Sequence, residues 1–288
     1  METVCKFVST RGLLKSCDVH FNDPQSDVAV ISHLYEMIDK NNIFPGMSIY
    51  VNAHSVVDFI KYIMPKIFVS FFLVSGDSDL TTDINNNDAY KDLVQNEYLI
   101  KWLSQNIISK HPKIIQMPIG LNYHDMAQKN HYNIQPIKQE ELLLNLRKKM
   151  LPFYERNRLI FVNFCIRGQD ERQISIDQIP SNLLDMKLKR IERDKLWSKY
   201  IDYCFILSPK GCGHDCFRTW EALMLGCIPI VKREGYFTDI FDELPVLIVN
   251  VWSSITKELL DETIINFRTR EFNYNKLTLK FWTNLFEK

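Results

Sequence analysis

The sequence predicts an α/β protein: two Rossmann-like domains in series, facing each other across a cleft, with a C-terminal helix docked against them. Three observations predict it. Strand-length apolar runs alternate with stretches of helical spacing along much of the 288 residues, the signature of parallel sheets covered on both faces. The run 67–75 (IFVSFFLVS) is nearly continuous in its apolar character, as a strand buried on both faces must be. A polar stretch, 125–158, then separates this series from a second one that opens at Leu159 (LIFVNF). The domains are therefore placed at 1–150 and 151–270, with 271–288 as the helix that packs back.

In the first half, the Pro45-Gly46 turn leads into a strand at 48–51, and 56–64 has helical spacing. The strand 67–75 follows, then a helix over 89–109 with Trp102 and Leu103 in its apolar stripe, a strand at 114–118 and a loop at 120–124. Residues 139–150 (QEELLLNLRKKM) form an amphipathic helix, acidic at its start and basic at its end as the macrodipole prefers. In the second half a strand at 203–207 runs into a loop at 208–214 and a helix at 215–225. Gly226 closes that helix, and strands follow at 227–231 and 246–249. The tail has apolar or aromatic residues at Leu277, Phe281, Trp282 and Leu285, a spacing that gives a docked helix rather than a loose end.

Composition narrows the partners. Thirty-five basic and 35 acidic residues cancel, which argues against nucleic acid or an anionic membrane as the partner. The opening METVCKFVSTRG lacks the apolar core of a signal peptide, and no run reaches membrane-spanning length, so a cytoplasmic chain without a membrane span is expected. Seven cysteines are an odd number without framework spacing, which fits reduced thiols. Cys212 and Cys216, with His214 between them, have the form of half a zinc site, but no second pair lies nearby at finger spacing; no metal is expected.

The segment 203–252 carries the chemistry. A strand, a loop with Gly211 and Gly213, and a helix N-terminus make an anion site, because glycines let backbone approach closely and the first-turn N–H groups point outward. Arg218 and Glu221 stand three apart, on one helix face. A cation so near the positive end of a helix is disfavoured unless an anion lies before it. The plain alternative is an Arg–Glu pair on a solvated face; the glycine loop favours instead a diphosphate on the loop and Arg218, with Glu221 accepting from a ribose.

This stretch, S-P-K-G-x-G-x-D-x-x-R-T-W-E-A-L-x-x-G-C-I-P-I-V, resembles the donor-binding core of the exostosin-like glycosyltransferases, which have the GT-B architecture. The resemblance covers about fifty residues strongly. It implies transfer of a sugar from a nucleotide diphosphate, usually UDP-linked (UDP-xylose or a UDP-hexose), without a metal; the chain itself is expected to be a soluble, stand-alone member. It also implies that Glu221 holds the ribose and Arg218 faces the phosphates. Many relatives carry an N-terminal membrane anchor, and none is expected here.

Further candidates follow from strand ends, where open α/β sheets bind ligands. Asp77 and Asp79 follow the 67–75 strand; an Asp-x-Asp could hold a divalent metal, cap a following helix or supply the general base that deprotonates an acceptor hydroxyl, and the last is preferred without a choice between the two. His124 in the loop after 114–118 is a further base or acceptor contact, and His54 has the same status. In FVNFCIRGQDER, Arg167 or Arg172 could neutralise the donor's β-phosphate, whose charge grows in the transition state. Ser208 and Lys210 complete the donor loop, with Lys232 as a weaker cation.

The expected function is therefore inverting transfer of a sugar from a nucleotide diphosphate donor to an oligosaccharide or glycoprotein glycan, needing no cofactor. The alternative is a catalytically silent nucleotide- or sugar-binding module on the same scaffold. A Rossmann oxidoreductase is disfavoured, because the loop is not Gly-x-Gly-x-x-Gly and lies late in the chain.

Overall fold

The computed structural model describes residues 2–21, 31–40, 42–128, 133–166, 168 and 170–286. Its contacts divide the chain into two compact units. The first comprises Met1–Pro136, Gly235–Ile240 and Thr278–Lys288, and the second Ile137–Glu234 and Phe241–Leu277. Both are mixed α/β with all-parallel sheets, four strands in one and five in the other.

Unit 1 opens with α1 (Thr10–Lys15), started by the Ser9 hydroxyl accepting from the Gly12 N–H at 3.1 Å, followed by α2 (Ile31–Asp39). Strand β1 (Met47–Asn52) leads into α3 (Val56–Asp58), which continues through a π-turn (Phe59–Ile63) and a 3₁₀ turn (Met64–Lys66). Strand β2 (Phe71–Gly76) is shorter than its apolar run: 67–70 precede it as loop, and Phe68 is 69% exposed.

The next element corrects the sequence reading. In place of one helix over 89–109 there are α4 (Asp88–Gln95), capped by Asn87, and strand β3 (Leu99–Ser104). Asn96 takes extended backbone at the end of α4, and the following LIKWLS pairs with β2, setting Trp102 against Leu73. The Trp102 indole N–H then donates to the buried Ser75 hydroxyl at 2.8 Å. A neighbouring strand with open backbone groups outweighs helical spacing in a run this rich in β-formers. Strand β4 (Ile114–Gln116) ends the sheet, and α5 (Tyr123–Ala127) starts inside the predicted loop, capped by Asn122. Strand order is β1-β2-β3-β4, following the chain without reversal.

Unit 2 is built from α6 (Pro136–Lys149), β5 (Asn157–Val162), α7 (Glu171–Gln178), β6 (Leu184–Met186), α8 (Arg193–Tyr200), β7 (Tyr203–Leu207), α9 (Phe217–Met224), β8 (Ile228–Lys232), β9 (Leu247–Val249) and α10 (Lys257–Thr269). Strand order is β6-β5-β7-β8-β9, so the winding reverses between β5 and β7. Every residue of β7 is buried, and its Cys204, Phe205 and Leu207 join Ile160, Val162, Ile228, Ile230 and Trp252 in one apolar core. Gly226 has φ +66°, the left-handed conformation of a helix stop, and the Cys227 N–H returns to the Ala222 carbonyl at 2.9 Å. Arg147 and Arg156 donate to the Met224 and Leu225 carbonyls, clamping the end of α9.

The tail returns to unit 1. A 3₁₀ turn (Tyr274–Leu277) precedes α11 (Leu279–Thr283), a shorter helix than the tail's spacing predicts. The Leu279 N–H donates to the Lys6 carbonyl at 2.9 Å, and Leu279 lies against Gly12 of α1. Among the described residues no helix is long and apolar enough to cross a membrane.

Candidate functional site

The reversal of strand order in unit 2 is where an open parallel sheet makes a crevice at its carboxyl edge. Two loops meet there, the one that leaves β5 and the one between β7 and α9. Phe164 comes from the first and is 6% exposed. The guanidinium of Arg218, in the first turn of α9, lies 5.0 Å from its ring centroid, and that of Arg172, in the first turn of α7, lies at 6.0 Å. Both distances suit cation–π contact.

Neither arginine has a carboxylate partner among the described residues. Arg172 donates through Nη1 to the Cys165 carbonyl at 2.8 Å, while its Nε is buried and makes no hydrogen bond there. Arg218 reaches only the Pro209 carbonyl, at 3.5 Å. Two uncompensated cations on one ring, each near a helix N-terminus, repel each other and both dipoles; an anion between them relieves all three costs. Among the described residues no side chain caps α9. Beside Phe164 an open groove of about 600 Å³ is lined by Asn163, Phe164, Cys165, Ile166, Leu188 and Arg190.

The glycine loop is shaped around Arg172. A Cβ on Gly211 would lie 2.9 Å from Arg172 Nη2, so glycine here makes room for the guanidinium. Gly213 is buried, and neither of these glycines has positive φ. Ser208 is buried and bonds through Oγ to the Thr219 hydroxyl at 2.8 Å, tying the start of the loop to α9. Asp215 accepts from the Trp220 indole N–H at 2.9 Å, which anchors the other end.

Other predicted donor residues are already engaged. Lys210 donates to Glu234 at 3.0 Å, and His214 Nδ1 lies 3.3 Å from the same oxygen. His214 first, and Lys210 with it, hold the Glu234 carboxyl below its usual range against the opposing effect of burial. Lys232 pairs with Glu171 at 3.0 Å. Glu221 is 4% exposed, and Arg193 Nε stands 3.3 Å from its Oε1. Arg218 and Glu221 thus share α9, as their spacing requires, but address different neighbours.

The half zinc site does not assemble: the Cys216 thiol turns to the Pro209 carbonyl at 3.6 Å, and burial pushes its pKa up. Among the described residues no group of three or more His, Cys, Asp or Glu could hold a metal ion. Arg167 lies outside the described residues.

In unit 1, Asp77 directly follows β2 with φ +55° and is buried, its N–H donating to Gln105 Oε1 at 2.8 Å. Arg11 Nη2 lies 4.0 Å from its carboxylate. Asp79 is exposed. Neither aspartate caps a helix, which corrects that alternative: the next helix, α4, starts at Asp88 on an Asn87 cap. His54 comes to this loop, Nε2 lying 3.0 Å from the Ser78 hydroxyl. His124 is half-buried in α5.

Phe164, Arg193 and Glu234 escape motif reading. Phe164 alone had a signal, a large aromatic at the carboxyl end of an apolar run; the other two lie far in sequence from the groups they meet.

No protein-family model and no curated protein matches the chain. Among solved structures it is similar to the GtfA/B complex at 10% identity and a TM-score of 0.41, the match covering 89% of this chain and 57% of that one.

Proposed function

We propose that the chain is a glycosyltransferase of GT-B type that takes a sugar from a nucleotide diphosphate, UDP-linked in the first instance, to a hydroxyl of an oligosaccharide or glycoprotein glycan. The observation that carries this is the pair Arg172 and Arg218, without carboxylate partners, around Phe164 at the strand-order reversal of unit 2. A diphosphate supplies the missing negative charge, and the start of α9, which no side chain caps among the described residues, adds N–H donors. The resemblance of the SPKG-to-CIPIV stretch to exostosin-like enzymes favours a sugar as the transferred group.

In the reaction, the acceptor hydroxyl loses its proton to a base as its oxygen bonds to the anomeric carbon from the far side. The bond from that carbon to the β-phosphate oxygen breaks, and the nucleoside diphosphate leaves with the electron pair. Arg172 and Arg218 stabilise the charge gathering on the leaving group, the task a metal performs elsewhere. Ser208, Gly211, Gly213 and Lys210 shape the donor loop, and Glu221 receives the ribose. The base belongs to the set Asp77, Asp79 and His124. Exposure favours Asp79, since the buried Asp77 already faces Arg11.

That Asp77 and Glu221 both face arginines also favours a second reading, a silent nucleotide-binding module. Calorimetry with UDP, followed by assay of UDP release from UDP-sugars with glycan acceptors, tests both. Binding with turnover supports the transferase and binding without turnover the module. Failure to bind UDP or GDP sinks both.

A further inference from the structure

Resting on that nucleotide reading, we infer that the groove beside Phe164 is the base subsite, and that Asn163 selects there a base that donates a ring N–H, uracil among the pyrimidines. Asn163 directly follows β5. Its side-chain amide donates to the Lys187 carbonyl and, at 3.1 Å, to the Lys189 carbonyl, both in the segment that follows β6. A carbonyl only accepts, so these two bonds use both amide hydrogens and fix which way the group is turned. Oδ1 is thereby held as an acceptor. It receives no hydrogen bond among the described residues, and it is not sealed from solvent as Arg172 Nε is. A clamp between two strand ends accounts for the nitrogen and leaves the oxygen unused.

The rest of the lining suits a flat heterocycle. Phe164, Ile166 and Leu188 are apolar, and Leu188 is 49% exposed, a side chain that a stacked ring would cover. At about 600 Å³ the groove has room for a nucleoside. Arg190, exposed and without a carboxylate partner among the described residues, can donate to a base carbonyl. The arginine pair adjoins the groove: Phe164 is the ring beside both guanidiniums, and the Cys165 carbonyl accepts from Arg172. One loop thus borders both, and a nucleoside diphosphate is the occupant whose charge and flat ring match the two together. Uracil carries its ring N–H between two carbonyls, a match for an acceptor beside a cation. Cytosine has a bare lone pair at that position, which would face the lone pairs of Oδ1.

Calorimetry with UDP, CDP, N3-methyl-UDP and inorganic pyrophosphate reads the subsite separately from the arginine pair. CDP and N3-methyl-UDP should bind the wild type roughly tenfold more weakly than UDP, the cost of one lost hydrogen bond whose acceptor is left unmet. Leu188→Ala, at an exposed position that does not threaten the fold, should weaken UDP binding about three- to tenfold and leave pyrophosphate unchanged. In Asn163→Ala the preference for UDP over CDP and N3-methyl-UDP should shrink to within about twofold, whatever that variant does to overall affinity by loosening the loop. Equal binding of UDP and both analogues by the wild type, or a preference that survives in Asn163→Ala, overturns the assignment. So does a Leu188→Ala variant that binds UDP as the wild type does. A wild type that binds neither UDP nor pyrophosphate sinks the nucleotide reading, and this subsite with it.

Discussion

The two units use the same materials to opposite ends. In unit 1 the strands follow chain order, and the polar groups at their carboxyl ends bond to one another. Trp102 donates to Ser75, Ser75 and Ser104 join at 3.1 Å, Gln105 holds the Asp77 N–H, and Arg11 faces the Asp77 carboxylate. In unit 2 the order reverses, and beside the reversal two guanidiniums share one phenyl ring with no carboxylate among the described residues to neutralise them. A more fully bonded polar network stabilises the fold and has less left for a ligand, although on the unit 1 side Arg11 Nε and Tyr50 Oη are also buried and make no hydrogen bond among the described residues. An open one costs stability in the empty protein and returns it on binding. On the proposed reading, diphosphate affinity belongs to unit 2, and the mutually bonded part of the unit 1 edge is structural.

The largest expected effect would break this contrast if it failed. Replacing the general base by its amide should lower transfer by about 10²–10⁴-fold with UDP affinity unchanged. Of Asp79→Asn and Asp77→Asn, the first should do this. The second should instead lower stability by about 1–3 kcal/mol, since it weakens a buried charged contact. If both variants transfer normally, His124→Gln is the next to test.

Next comes the arginine pair. Arg172→Ala and Arg218→Ala should each weaken UDP binding by about 1.5–3 kcal/mol, with the double variant losing less than the sum because both address one diphosphate. Strict additivity in calorimetry would mean that they face different groups.

A smaller effect sharpens the other side. Trp102→Phe leaves the buried Ser75 hydroxyl without its indole donor and should cost about 1–3 kcal/mol by denaturant unfolding, with UDP affinity untouched. Loss of UDP binding there would show that the unit 1 network serves a ligand.

The smallest is a pH effect at Glu234, whose carboxyl is held low in the folded state, chiefly by His214. A depressed folded value contributes stability above the unfolded pKa of about 4.3 and loses it as pH falls through the folded one. Melting temperature in the wild type should therefore fall more steeply below about pH 4.3 than in Glu234→Gln. Equal acid slopes would remove the His214–Glu234 contact from the folded ensemble.

Much of this was legible in the chain, unevenly so. The strand 203–207 matches β7 end to end, and Gly226 stops α9 as its position implied, because burial on both faces and a left-handed glycine are local signals. The helix proposed over 89–109 failed because LIKWLS satisfies helical spacing and strand propensity together, and only the neighbouring β2 decides between them. At the site, Arg218 and Gly211 were readable from the motif, and Arg172 from its place after a strand. Its contact with Gly211 was not, since a glycine that yields space to a guanidinium 39 positions earlier leaves no local trace. The pairing of Glu221 with Arg193 was hidden for the same reason.

The stop of α9 has a consequence for its motion. Arg147 and Arg156 hold the last carbonyls of the helix, whereas among the described residues no side chain caps its first turn. The helix therefore opens from one end. Without a bound anion the Arg218 amide should exchange with solvent deuterium quickly, while those of Leu223 to Leu225 exchange only when the whole unit opens. A bound anion would slow the first turn and leave the last unchanged, so exchange at the two ends of α9 would report anion binding without any turnover.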